Sequence, residues 1–170
     1  MIDKIEHIVE VALENKLCTQ EKQLRRLLRY CIYTVEDSIE EKGEELADIT
    51  FHTIKFFKEL PKTLNGIKQS ELYSKAADLI CLILNTFDVD VTKEECFILF
   101  HFRENGKFRT KEHLAFEELK SEWGLHKSYA MDEPDFLEAV RDLKNHGLIN
   151  HRRGTVTLVE VTVFRYKMVL

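Results

Sequence analysis

A chain of 170 residues has room for one generous domain or two small ones. With 44% hydrophobic and 32% charged residues it has the balance of a folded chain and excludes an intrinsically disordered one. The net charge of −5 is uneven: residues 1–90 carry 12 Lys and Arg against 17 Asp and Glu, and residues 91–170 carry 13 against 13, so neither half has the basic excess usual in a nucleic-acid-binding domain. Charges from Asp3 to Lys16 punctuate the N-terminus, which does not read as a signal peptide. No apolar run approaches the ~18 residues of a membrane span. The expectation is a cytoplasmic chain with no membrane partner.

In chain order, the first half reads as a bundle of four helices. Ile5, Ile8, Val9, Ala12, Leu13 and Leu17 form one helical stripe. Leu24, Leu27, Leu28, Cys31, Ile32, Val35 and Ile39 form a second, which predicts a helix running towards Gly43. Its Arg25, Arg26 and Arg29 precede Glu36, Asp37, Glu40 and Glu41, an order that opposes the helix dipole. A third helix is predicted from Glu44 to Leu60, with Pro61 ending it. Phe51 and Phe56 fall off its stripe, which points to burial against another element or to docking of a protein partner. Ser70 is placed to cap a fourth helix whose apolar residues, from Leu72 to Phe87, nearly encircle it, as befits the centre of a core.

Asp88-Val89-Asp90-Val91 marks the boundary between an assembly or dimerisation bundle over residues 1–90 and a second domain over 91–170. Thr92 and Glu95 have the capping-box spacing that opens the next helix, which runs to Asn105-Gly106. Thr110 is placed to cap a helix bearing Leu114, Ala115, Leu119 and Trp123 and stopped by Gly124. Asp132, with Asp135 and Pro134, opens a third helix with a buried stripe at Phe136, Leu137, Val140 and Leu143. Gly147 stops it, and Leu148-Ile149 lead into a β-hairpin turning at His151-Arg152-Arg153-Gly154. Alternation breaks at Leu158-Val159, which predicts a bulge or a change of exposed face, and the run through Phe164, Tyr166 and Met168 extends the strand as an edge.

Three helices followed by a hairpin, joined by the passage from Leu143 through Gly147-Leu148-Ile149, resemble the winged-helix family over residues 92–164. The fold class expected is mainly α with a small β-hairpin: an N-terminal helical bundle plus a C-terminal winged helix-turn-helix. The resemblance implies phosphate contacts from the start of the second helix and from the wing, which here are Lys107, Arg109, Lys111, Arg152 and Arg153. It also implies that the third helix meets the major groove. That helix, however, holds Asp132, Glu133, Asp135, Glu138 and Asp142 against Arg141 and Lys144. Carboxylates at Glu138 and Asp142 are repelled by phosphates, which favours a protein-docking face and only weak or non-specific DNA contact.

Size, acidity and layout are similar to small accessory subunits of SMC-like ATPase complexes in chromosome maintenance and phage or plasmid defence. A protein partner of that kind is the implied one, and the expected function is a non-catalytic, DNA-associated adapter subunit. The alternative is a homodimeric winged-helix transcriptional regulator binding a two-fold operator. A third reading is a regulatory or toxin-neutralising protein that meets no nucleic acid. Catalysis is not expected. Phosphate-binding, dinucleotide and H-E-x-x-H motifs are missing from the sequence, and the histidines are scattered. His101 and Cys96 fall on different helix faces, while His146 and His151 would need a third converging ligand to bind a metal. Cys18, Cys31, Cys81 and Cys96 stand far apart and read as buried thiols, so no cofactor or metal is expected.

Overall fold

The computed structural model describes residues 1–34, 39–41, 44–106 and 109–167. It is mainly helical, with two small antiparallel sheets. The first half contributes helices α1 (Ile2–Glu14), α2 (Glu21–Cys31), α3 (Thr53–Thr63) and α4 (Leu72–Thr86), and strands β1 (Ile32–Thr34), β2 (Ile39–Glu41) and β3 (Glu44–Phe51). The second half runs α5 (Lys93–Gly106), β4 (Arg109–Lys111), α6 (Glu112–Leu125), α7 (Glu133–Asn145), β5 (Ile149–Arg152), β6 (Thr155–Leu158) and β7 (Thr162–Lys167).

The first sheet is the main departure from the sequence reading. The long second helix stops at Cys31, and the third begins only at Thr53. Between them β1 and β2 both pair with β3, whose other edge takes β7 from the far end of the chain. Ile32, Tyr33 and Thr34 are β-branched or aromatic and gain more as a pleated, half-buried surface than as a helical turn. The register aligns Ile32, Phe51 and Thr162 in one buried row, and the next inward positions of β3 and β7 pair Ile49 with Phe164. Glu40 and Glu41 therefore lie beyond α2, in β2, while Val35, Glu36, Asp37 and Gly43 lie outside the described residues. Arg29 sits in the last turn of that helix, where the dipole favours it.

Pro61 does not end α3, which continues to Thr63. A proline in that turn supplies no N–H to the carbonyl four residues back, at Phe57. Arg103 Nε from α5 donates to that carbonyl at 2.9 Å, so the orphaned acceptor is satisfied from another helix.

Thr92 and Glu95 form the reciprocal box, with Glu95 N donating to Thr92 Oγ1 at 3.1 Å and Thr92 N to Glu95 Oε1 at 2.9 Å. Asp132 Oδ1 accepts from Asp135 N at 2.9 Å. Ser70 lies instead in a short 3-10 turn before α4, and Thr110 lies in β4 and caps nothing. Gly124 falls inside α6, which ends at Leu125. Gly147, at φ +75°, does close α7.

One hydrophobic cluster runs from Ile5 to Leu158. α4 is at its centre, packing on α1 and α5 with eight buried residues from Tyr73 to Leu84. The four cysteines are buried and free. After Leu158 the chain leaves its strand, so the break in alternation is a change of sheet rather than a bulge. β7 pairs with β3 instead of extending β6. At that crossing Thr162 Oγ1 donates to the Gly147 carbonyl at 2.9 Å and lies 3.0 Å from Thr53 Oγ1, joining the ends of α7, β7 and α3. No described helix is long and apolar enough to cross a membrane.

His101 on α5 is 1% exposed. Its Nε2 lies 3.1 Å from Glu118 Oε2 on α6, and its Nδ1 lies 3.1 Å from Tyr73 Oη on α4. A neutral ring protonated on Nε2 satisfies both, with the Tyr73 hydroxyl donating to Nδ1. Desolvation holds the His101 pKa below 6.5, against the opposing pull of Glu118. The unfolded chain then binds more protons than the folded one, so this site's contribution to stability is full above pH 6.5. It is lost as pH falls from 6.5 through the lower folded value. Chemical denaturation across that window is expected to show falling stability in the wild type and a flatter profile in His101→Gln.

Candidate nucleic-acid interface

The second sheet has the order β4-β6-β5. In its register Arg109 and Asn150 both oppose Thr157, while Lys111 and Arg152 both oppose Thr155. Side chains alternate along a strand, so these two rows, two residues and roughly 7 Å apart, project from the same face. The opposite face carries Val156, Leu158 and Ile149 into the core. Three strands thus place Arg109, Lys111 and Arg152 on one surface, with two threonines and an asparagine between and beside them.

The turn adds the fourth cation. Arg153 and Gly154 both have positive φ, +50° and +72°, which makes the two-residue connection a type I′ turn. An Asn or Asp suits the first position better, since a side chain such as arginine's costs about 1–2 kcal/mol in the left-handed region. The tip is held in place from outside the hairpin. Glu112 N, in the first turn of α6, donates to the Gly154 carbonyl at 3.0 Å, and His151 Nε2 lies 2.5 Å from Glu112 Oε2. Because Lys111 directly precedes Glu112, the same anchor fixes β4 against the tip.

All four cations are exposed. Lys111 Nζ donates to Thr155 Oγ1 at 2.8 Å. The residues lining the shallow depression on this face are these cations with Asn150, Thr155 and Thr157, and no described carboxylate lines it. Chemically it is a donor surface for oxyanions, and no aromatic side chain on which bases would stack is among the described residues that line it. Compared with known proteins, the chain matches no family model, no curated protein and no solved structure.

The remaining sequence-predicted sites separate. Lys107 lies outside the described residues. Glu138 is exposed on α7 and Asp142 is half-buried, with Glu133, Asp135, Arg141 and Lys144 also exposed on that helix. Phe51 and Phe56 are 2% and 0% exposed and pack on each other with ring centroids 5.1 Å apart. As core residues they offer no docking surface, and of the two readings of this pair burial against another element is the one realised. Among the described residues no three His, Cys, Asp or Glu side chains converge as metal ligands. Asn150, Thr155 and Thr157 were not singled out in the sequence, although each stands two positions from another member of the face, the period a strand would give.

Proposed function

We propose that this chain is a non-catalytic winged-helix subunit that grips a nucleic-acid backbone through its β4-β6-β5 sheet and offers α7 to a protein partner. The order α5-β4-α6-α7-β5-β6, with β6 between its neighbours, supports the winged-helix reading. The two cation-bearing cross-strand rows, continued by Arg153 at the tip, carry the functional one. Phosphate contacts of this kind set affinity and position without reading sequence. Exposed Glu138 and half-buried Asp142 make α7 a poor neighbour for phosphates and a suitable face for a cationic protein surface. An ATPase of the SMC-like class is the kind of partner proposed.

The division of labour between sheet and helix is testable without knowing that partner. In E138K/D142K, duplex affinity at physiological salt, where charges away from the backbone are screened, is expected to stay within about twofold of wild type. A gain of tenfold or more, or a new sequence preference, would place α7 in the groove and favour the operator-binding regulator.

A further inference from the structure

A second cationic feature lies between α2 and α3, built from residues the sheet does not use. Arg26, Tyr30, Lys55, Glu59 and Lys62 surround a cavity of about 150 Å³ floored by Leu27 and Cys31. Tyr30 is 55% exposed, and its ring lies under both flanking cations, with Arg26 Cζ 5.4 Å and Lys55 Nζ 5.0 Å from its centroid. Lys55 Nζ also lies 3.4 Å from the Tyr30 carbonyl oxygen. The aromatic ring and the carbonyl fix where the two charges stand without neutralising either.

The charge balance of the cavity selects its ligand. Glu59 pairs with Lys62 at 2.9 Å, and among the described residues neither Arg26 nor Lys55 forms an ion pair. Lys62 first, and then Arg26 and Lys55, hold the Glu59 carboxyl below its ordinary range, as expected where cations outnumber acids. Burial pushes the Cys31 thiol up to about 11, so the floor is neutral. Three cations less one carboxylate leave two positive charges. A phosphate monoester carries about −1.5 to −2 at pH 7, whereas a backbone diester or a carboxylate carries one negative charge. The volume, about that of five waters, suits one such oxyanion group.

The geometry points to a phosphate-monoester site between α2 and α3, filled by a free nucleotide or by the 5′-phosphate end of a nucleic acid. Arg26 supplies a planar fork of donors and Lys55 a point charge, while the Gln23 amide at the rim is a further donor. The site is independent of the sheet, which meets diester phosphates.

Amide resonances of the full chain, followed by NMR, test it with adenosine monophosphate, adenosine, and a duplex prepared with and without a 5′-phosphate. The nucleotide is expected to shift α2 and α3 signals saturably, and adenosine to leave them unmoved. R26S/K55S should bind about tenfold or more weakly, and R152E/R153E should bind as wild type does. Shifts in α2 and α3 produced only by the 5′-phosphorylated duplex, and lost in R26S/K55S, support the same site and name the nucleic-acid end as the source. If neither ligand moves these signals, or if the shifts persist in R26S/K55S, no such site exists. Loss of duplex binding in R152E/R153E alone would concern the sheet and not this cavity.

Discussion

Charge reversal at the β5–β6 turn, R152E/R153E, is expected to weaken duplex binding by a hundredfold or more at low salt. Arg152 and Arg153 are exposed, their backbone is fixed by the β5–β6 register and the type I′ turn, and they stand beside Lys111 and Arg109 rather than beside acids. A charge-assisted hydrogen bond to phosphate contributes about 1.5–3 kcal/mol, so two such contacts amount to about 3–6 kcal/mol before any repulsion from the new carboxylates. The fold should survive, because neither side chain is in the core. Fluorescence anisotropy with a labelled duplex gives the affinity, and a thermal melt confirms that the variant is folded. A folded variant that keeps wild-type affinity would remove the β5–β6 turn from the interface.

Phe56→Ala is expected to be among the most destabilising single truncations in the chain. Its ring is fully buried, in tilted contact with Phe51 and edge-on to Phe57, with both centroid distances 5.1 Å. Phe51 in turn stacks on Phe164 of β7 at 6.2 Å, so the cavity would open where α3 meets the first sheet. Burial of this kind corresponds to a loss of about 3–5 kcal/mol. For a chain of this length that is roughly 6–20 °C in melting temperature. A side chain that served only to dock a partner would change the free chain by less than about 0.5 kcal/mol, so urea denaturation distinguishes the two roles directly.

α1, α4, α5, α7 and the β5–β6 hairpin were legible in the sequence because their signals are local. The stripe of α1, the reciprocal cap of Thr92 and Glu95, the encircled α4 and the left-handed Gly147 each depend on residues within a few positions of one another. The first sheet was not legible. Ile32, Tyr33 and Thr34 follow directly on the stripe of α2, and over so few residues helical and strand periods both fit. What decides for a strand is Phe51 and Ile49 across β3, and beyond them Thr162 and Phe164, more than a hundred residues away. The dipole conflict of Arg25, Arg26 and Arg29 with the later acids was the available hint: an α2 ended at Cys31 removes it. Pro61 misled in the opposite direction, because the donor that lets the helix continue past it, Arg103, belongs to α5.

The five cations were visible in the sequence as a list but not as a surface, and the structure describes four of them. Placing Arg109 and Lys111 in a strand, rather than at the start of a helix capped by Thr110, is what puts them level with Thr157 and Thr155 and across from Asn150 and Arg152. Net charge concealed the feature, since a domain with equal acids and bases can still sort the bases onto one sheet face and the acids onto one helix. His101 is buried. Its partners Tyr73 and Glu118 lie on two other helices, beyond the reach of local spacing.

The salt dependence of duplex binding by the wild-type chain tests the central claim most directly. If Arg109, Lys111, Arg152 and Arg153 each displace a counterion from a duplex backbone, log affinity should fall linearly with log salt at a slope of about −3.6. The slope should be the same for duplexes of unrelated sequence. A slope near zero, or one that holds for a single sequence while others fail to bind, would contradict a backbone grip by this sheet.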